Sequence, residues 1–107
     1  MRPSAVILLA VILIAGGSGV RASSVTITQS GQKFSERSAD LNRGDVLQFA
    51  NQDDVSHNIT VADDEDDATD LGLQKPGENL SYTFDKAGRF KIRCSIHPSM
   101  KMAVSVK

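Results

Sequence analysis

The 107-residue chain has no tryptophan, one tyrosine, four phenylalanines, three prolines and a single cysteine. Each scarcity closes off a class of protein. One cysteine makes no intrachain disulfide, so this is not a disulfide-stapled scaffold. With 12 basic against 13 acidic residues and 5% aromatics, there is no basic stripe and no base-stacking set, which excludes a nucleic-acid binder. Beyond residue 22 no window carries a sustained 3.6-residue apolar repeat, so a helical bundle is excluded as well. The length fits one domain.

The apolar residues that are present are unevenly spread. Residues 5–15, AVILLAVILIA, contain nothing polar and follow Arg2. Val20-Arg21-Ala22 before Ser23 places small side chains where a signal peptidase cuts. Eleven helical residues rise about 16 Å, roughly half of a hydrocarbon core, which is too short for a stable span. Residues 1–22 are therefore expected to be a signal peptide, with an uncleaved membrane anchor as the alternative. Residues 23–107 form the expected domain, with 10 basic and 13 acidic side chains and a net charge of −3. A domain this small buries a modest core and benefits from a staple. Its lone thiol, exported to an oxidising compartment, is a liability unless something occupies it.

After residue 22 the sequence reads as short alternating strands between turn residues. The strands are centred on residues 25–28, 46–50, 56–61, 80–84, 90–94 and 102–106. This spacing indicates an all-β sandwich or barrel. The run Asp63–Asp70 holds six acids in eight residues. It fails as a calcium loop, because Ala68 and Gln74 stand where an EF-hand starting at Asp63 needs glycine and glutamate. It reads as a solvated loop, or as a patch that steers a basic partner.

The chemistry is concentrated near the C-terminus. Cys94-Ser95-Ile96-His97-Pro98-Ser99-Met100-Lys101-Met102 places a thiol, an imidazole and two thioethers within nine residues, and His57 is the other histidine. Soft sulfur with imidazole suits copper, and a His₂Cys set with a distant axial methionine is the electron-transfer arrangement. Cys94 ends one strand, His97 and Met100 are expected on the turn, and residues 102–106 return. Taken singly, each residue has a duller role: buried thiol, satisfied histidine, core methionine. Taken together, both histidines and the only cysteine fall into one ligand pattern.

The stretches Leu41–Asn51, Ser56-His57-Asn58-Ile59, Tyr82-Thr83-Phe84 and Cys94-Ser95-Ile96-His97-Pro98-Ser99-Met100 resemble the small cupredoxins, the type 1 blue copper proteins, most of all their amicyanin-like and plastocyanin-like members. The resemblance implies a Greek-key β-sandwich of seven to eight short strands binding one type 1 copper. It implies His57, Cys94 and His97 as equatorial ligands. For the axial position, plastocyanin-like spacing selects Met102 and amicyanin-like spacing, with Pro98 directly after His97, selects Met100, which is favoured. The Asn58 N–H is expected to donate to the thiolate sulfur, and the His97 edge, rimmed by Ile96 and Pro98, to be the electron port.

The implied protein is a periplasmic, monomeric one-electron carrier and not an enzyme. Its expected partners are redox proteins, such as a c-type cytochrome or an amine-oxidising dehydrogenase, with membrane contact only if the N-terminal segment stays uncleaved. A copper carrier or storage module without electron relay is the alternative. Multicopper oxidases and copper nitrite reductases need further histidines, and a Cys94–His97 nucleophile pair lacks an orienting acid and an oxyanion element.

Overall fold

The computed structural model describes residues 22–107; the expected signal peptide lies outside the described residues apart from its last residue, Ala22. Nine strands follow in chain order: β1 (Ser24–Ser30), β2 (Lys33–Phe34), β3 (Ser38–Leu41), β4 (Val46–Asn51), β5 (His57–Ala62), β6 (Ala68–Gln74), β7 (Asn79–Thr83), β8 (Gly88–Cys94) and β9 (His97–Val106). No helix occurs among the described residues. The strands form a four-stranded sheet, β2-β1-β4-β7, and a five-stranded sheet, β3-β9-β8-β5-β6. The β1–β4 and β3–β9 pairs are parallel and the other pairings antiparallel. This is the expected two-sheet sandwich. The ninth strand, beyond the expected seven to eight, reflects short pieces such as β2, with only two residues.

Period-two alternation builds the core. In β5 every second residue, from His57 through Ile59 to Val61, is buried, and β9 repeats the pattern from Met100 to Val106. Ile27, Leu47 and Phe49 from one sheet meet Ile59, Val61, Ile92, Met102, Val104 and Val106 from the other. Burying each such side chain contributes roughly 1.5–3 kcal/mol. The core therefore holds the sheets as rigid walls around whatever lies at their ends.

Two local features depend on special backbone. Gly31 and Gln32 both take positive φ, 61° and 57°, between Ser30 and Lys33, which pair across the β1–β2 hairpin. That is the two-residue turn whose twist matches the flanking strands. In β6, Gly72 has φ 92° where the β5–β6 register slips between Asn58 and Thr60. A glycine with positive φ is the usual residue at such a bulge.

Two expectations need correction. The acidic run is not one loop: residues 63–67 turn, and Ala68–Gln74 forms β6 at the sheet edge. Asp63 Oδ1 accepts the N–H groups of Glu65 and Asp67, so the first acid of the run shapes the turn. Asp70, the one acid on this edge strand, places a charge there that disfavours pairing with other chains. In addition, His97 and Met100 lie on β9, which begins at His97, and the turn is reduced to Ser95-Ile96.

Candidate metal centre

Three strand ends converge at one end of the five-stranded sheet. His57 opens β5, Cys94 closes β8 and His97 opens β9. One step along β8, from Arg93 to Cys94, is matched by four along β9, from Lys101 to His97. Pro98, Ser99 and Met100 are therefore surplus to the ladder, and the resulting bulge brings His97 opposite Cys94 with Met100 between His97 and the resumed pairing at Lys101. Pro98 is tolerated there because a bulge asks no ladder hydrogen bond of it.

The donor atoms face one another. His57 Nδ1 lies 3.1 Å from His97 Nδ1, and Cys94 Sγ lies 3.6 Å from each. A triangle with these sides has a central point about 2 Å from both nitrogens and slightly farther from sulfur. Metal–imidazole and metal–thiolate bonds are about 2.0 and about 2.3 Å long. The donor set fits a thiophilic transition ion.

Asp53 fixes which face His57 presents. Its Oδ2 lies 3.0 Å from His57 Nε2, and a carboxylate can only accept, so the neutral ring carries its proton on Nε2 and leaves Nδ1 bare. The same oxygen accepts the Gln32 N–H at 2.7 Å from the β1–β2 turn. That hydrogen bond, more than the contact with His57, holds the Asp53 carboxyl below its ordinary value. Asn51 completes the brace: its Oδ1 accepts the Asp53 N–H, while its Nδ2 donates to the carbonyls of Val55 and Gln74. His57 is wholly buried, so its ring is held by protein partners and not by water.

Asn58 N–H donates to Cys94 Sγ at 3.3 Å, as expected for a sulfur whose electron density is tuned by a backbone dipole. Asn58 is itself held by Asp70, whose Oδ1 accepts its Nδ2 at 2.7 Å and the Gly72 N–H. Cys94 and Met100 are buried to 1%. Met100 stays outside the hydrophobic core cluster that contains Met102. His97 is partly exposed, Ile96 is 51% exposed and Pro98 is exposed, so one imidazole edge meets solvent within an apolar rim.

His57, Cys94 and His97 converge as expected, and Met100 lies in the bulge that follows His97. Asp53, Gln32 and Asn51 were missed from sequence. An aspartate four residues before a ligand-type histidine was a usable signal for Asp53. Gln32 had none, since its role exists only because the β1–β2 turn meets the loop after β4. Leu73, the register partner of Asn58 and 59% exposed, is an apolar surface residue at this end that was likewise missed.

Comparison with known proteins agrees with this geometry. A family model described as copper binding proteins, plastocyanin/azurin family, matches residues 21–107. The methylamine utilization protein MauL of Methylorubrum extorquens is 32% identical over 63 residues, covering 59% of this chain and 55% of that protein. Its counterpart from Methylophilus methylotrophus is 30% identical over 82 residues, covering 75% and 47%. The chain thus spans about half the length of these relatives. Among solved structures, amicyanin from Paracoccus versutus superposes with a TM-score of 0.72 at 22% identity, over 84% of this chain and 87% of that one. A reduced amicyanin variant gives the same score and identity over 84% and 88%. The structural likeness establishes the sandwich, and the family match establishes membership: the chain belongs to the copper binding proteins of the plastocyanin/azurin family.

Proposed function

We propose that His57, Cys94 and His97 hold the copper equatorially and Met100 axially, in an exported protein that relays single electrons between redox proteins. The observation that carries this reading is the convergence of two imidazole Nδ1 atoms and one thiol sulfur, all within 4.8 Å of one another. When bound, copper supplies a one-electron Cu(II)/Cu(I) couple.

The remaining work falls to the chain. The β8 and β9 ends clamp Cys94, His97 and Met100 between sheets, so that one arrangement serves both oxidation states with little movement. Asp53 orients His57, and the Asn58 N–H withdraws charge from the sulfur. The exposed His97 edge is the electron port, and its Ile96–Pro98 rim suits a brief encounter.

Residues 1–22 act as a cleaved signal that delivers residues 23–107 to the periplasm. Support comes from Ser23, whose N–H donates to Asp45 and whose carbonyl accepts from Val46, so the residue just after the cleavage motif is already tied into the domain. The relatives' name, methylamine utilization, supports an amine-oxidising dehydrogenase among its redox partners.

The test is the colour of the oxidised, copper-loaded chain. Intense blue thiolate-to-copper absorption is expected, and Cys94→Ser abolishes it. A colourless Cu(II) form, or tight binding of Cu(I) alone with handover to another protein, overturns electron relay in favour of copper storage. The mass of the mature protein decides the cleavage.

A further inference from the structure

We propose that the outer face of the five-stranded sheet, beside the ligand end, docks an acidic protein partner through Arg37, Lys91, Arg93 and Lys101. This deepens the electron-carrier reading by naming the chemistry of a partner. The four cations line an open groove of about 510 Å³ together with Ser99 and Ala103. Strand register builds it. Lys91 pairs with Ala103 and Arg93 with Lys101, and the Arg37 carbonyl accepts the Ala103 N–H, closing the side. The small Ala103 leaves the dip between them.

No carboxylate lines the groove. Among the described residues the one acid–base contact within ion-pair distance is Asp53 with His57, so none of the four cations has a carboxylate partner. Arg93 and Lys101 are moreover direct cross-strand partners, an arrangement that like charges make unfavourable. An acid at either position would stabilise the sheet. Residues 22–107 carry 13 acidic and 10 basic side chains, so a groove of unmixed cations is segregation against the overall balance.

Position gives the segregation a use. Arg93 precedes Cys94, and Lys101 follows Met100, so a partner seated here lies beside the metal centre and the His97 rim. The turn at residues 63–67, with Asp63, Asp64, Glu65, Asp66 and Asp67, lies at the other end of the same sheet, where β5 has run away from His57. Lys91 marks the boundary, bordering Asp63 and Asp64 on one side and the cationic groove on the other. An acidic partner is drawn to one end of the face and repelled from the other, which fixes orientation as well as affinity. That pattern favours a protein over an anionic bilayer, because a uniformly negative plane would meet the acidic turn too.

The experiment follows backbone amide shifts of the reduced, copper-loaded, ¹⁵N-labelled chain in three titrations. The probes are an acidic c-type cytochrome, a basic c-type cytochrome, and vesicles of equal phosphatidylcholine and phosphatidylglycerol. Shifts at Lys91, Arg93, Lys101 and Ala103 are expected with the acidic cytochrome alone, weakening as salt is added. Arg93→Glu with Lys101→Glu is expected to weaken that binding about tenfold or more. Should that pair fail to fold, Lys91→Gln with Lys101→Gln carries the same comparison with a smaller loss. Absence of these shifts, equal response to the basic cytochrome, or response to the vesicles overturns the proposal. Absorption recorded on the same labelled chain after oxidation and before any partner is added separates the two readings: colour without shifts removes the docking face alone, and shifts without colour remove the copper assignment alone.

Discussion

Strand β4 has an aspartate just outside each end, Asp45 before it and Asp53 after it, and the two carboxylates do different work. Both accept backbone N–H groups: Asp45 from the distant Ser23 and from Asn42 three residues before it, Asp53 from the distant Gln32. Both are held below the ordinary carboxylate value of 3.8, chiefly by those hydrogen bonds. At the Asp45 end each oxygen accepts one backbone N–H, and the carboxylate ties Ser23 to the turn between β3 and β4. At the Asp53 end one oxygen is shared with a histidine, and the carboxylate passes the rigidity of the hairpin to a metal ligand. The same local device closes the fold at one end and tunes a reactive centre at the other.

The two methionines of β9 break the comparison most sharply, since both point inward two residues apart. Met102 packs in the core cluster with Ile92, Val104 and Val106, whereas Met100 stays outside that cluster, in the bulge between His97 and Lys101. Met102→Ala is expected to cost about 2–5 kcal/mol in unfolding free energy, with the copper absorption unchanged. Met100→Gln is expected to shift the absorption and the reduction potential at a smaller cost in stability. A larger spectral change in Met102→Gln than in Met100→Gln would assign the axial position to Met102.

Asp53→Ala tests whether the ligand end depends on its carboxylate. Loss of an outer partner of a metal-bound histidine lowers metal affinity by about 10- to 100-fold, measurable by competition with a chelator. Asp45→Asn is the matched control at the other end and is expected to leave copper affinity unchanged. Equal losses in both variants would mean that Asp53 acts only through general stability.

What could be read from the sequence divides along the same line. Cys94, His97 and Met100 are close in the chain, so their spacing carried the centre, and the alternation in β5, β8 and β9 carried most of the core. The surplus of three residues in β9 is a relation between two strands, and Pro98 suggested a turn where the strand in fact continues through a bulge. Strand β6 was hidden because Asp and Gly disfavour strands, and only pairing with β5 overrides that preference. Gln32 and Asp53 lie 21 residues apart, joined by a hydrogen bond that no local pattern announces.

Asp45→Asn has its own, smaller signature in pH. Both carboxylate oxygens are used, Oδ1 by the Ser23 N–H and Oδ2 by the Asn42 N–H. Asparagine keeps one acceptor and turns a donor toward the other N–H, so the variant is less stable at neutral pH. Because the folded carboxyl titrates below 3.8, its contribution is present above that value and is lost as pH falls through the lower, folded one. The stability gap between the two proteins should therefore narrow in acid, and a constant gap would mean that the charge plays no part.

The proposed cleavage after Ala22 would add the mildest effect and the most specific to the Asp45 end. The Ser23 nitrogen, 2.9 Å from Asp45 Oδ1, is an amide in the uncut chain and becomes an α-ammonium in the mature one. An α-amino group titrates at about 7.7–8.0 when free, and an adjacent carboxylate raises that value. Stability from the new pair is thus fully present below about 7.7 and is lost as pH rises through the raised value. The unfolding midpoint of a chain beginning at Ser23 should fall across that alkaline window. A chain retaining Ala22, or the mature chain with Asp45→Asn, should not show the fall. An identical alkaline profile in all three would separate the N-terminus from Asp45, leaving the carboxylate to act through Asn42 alone.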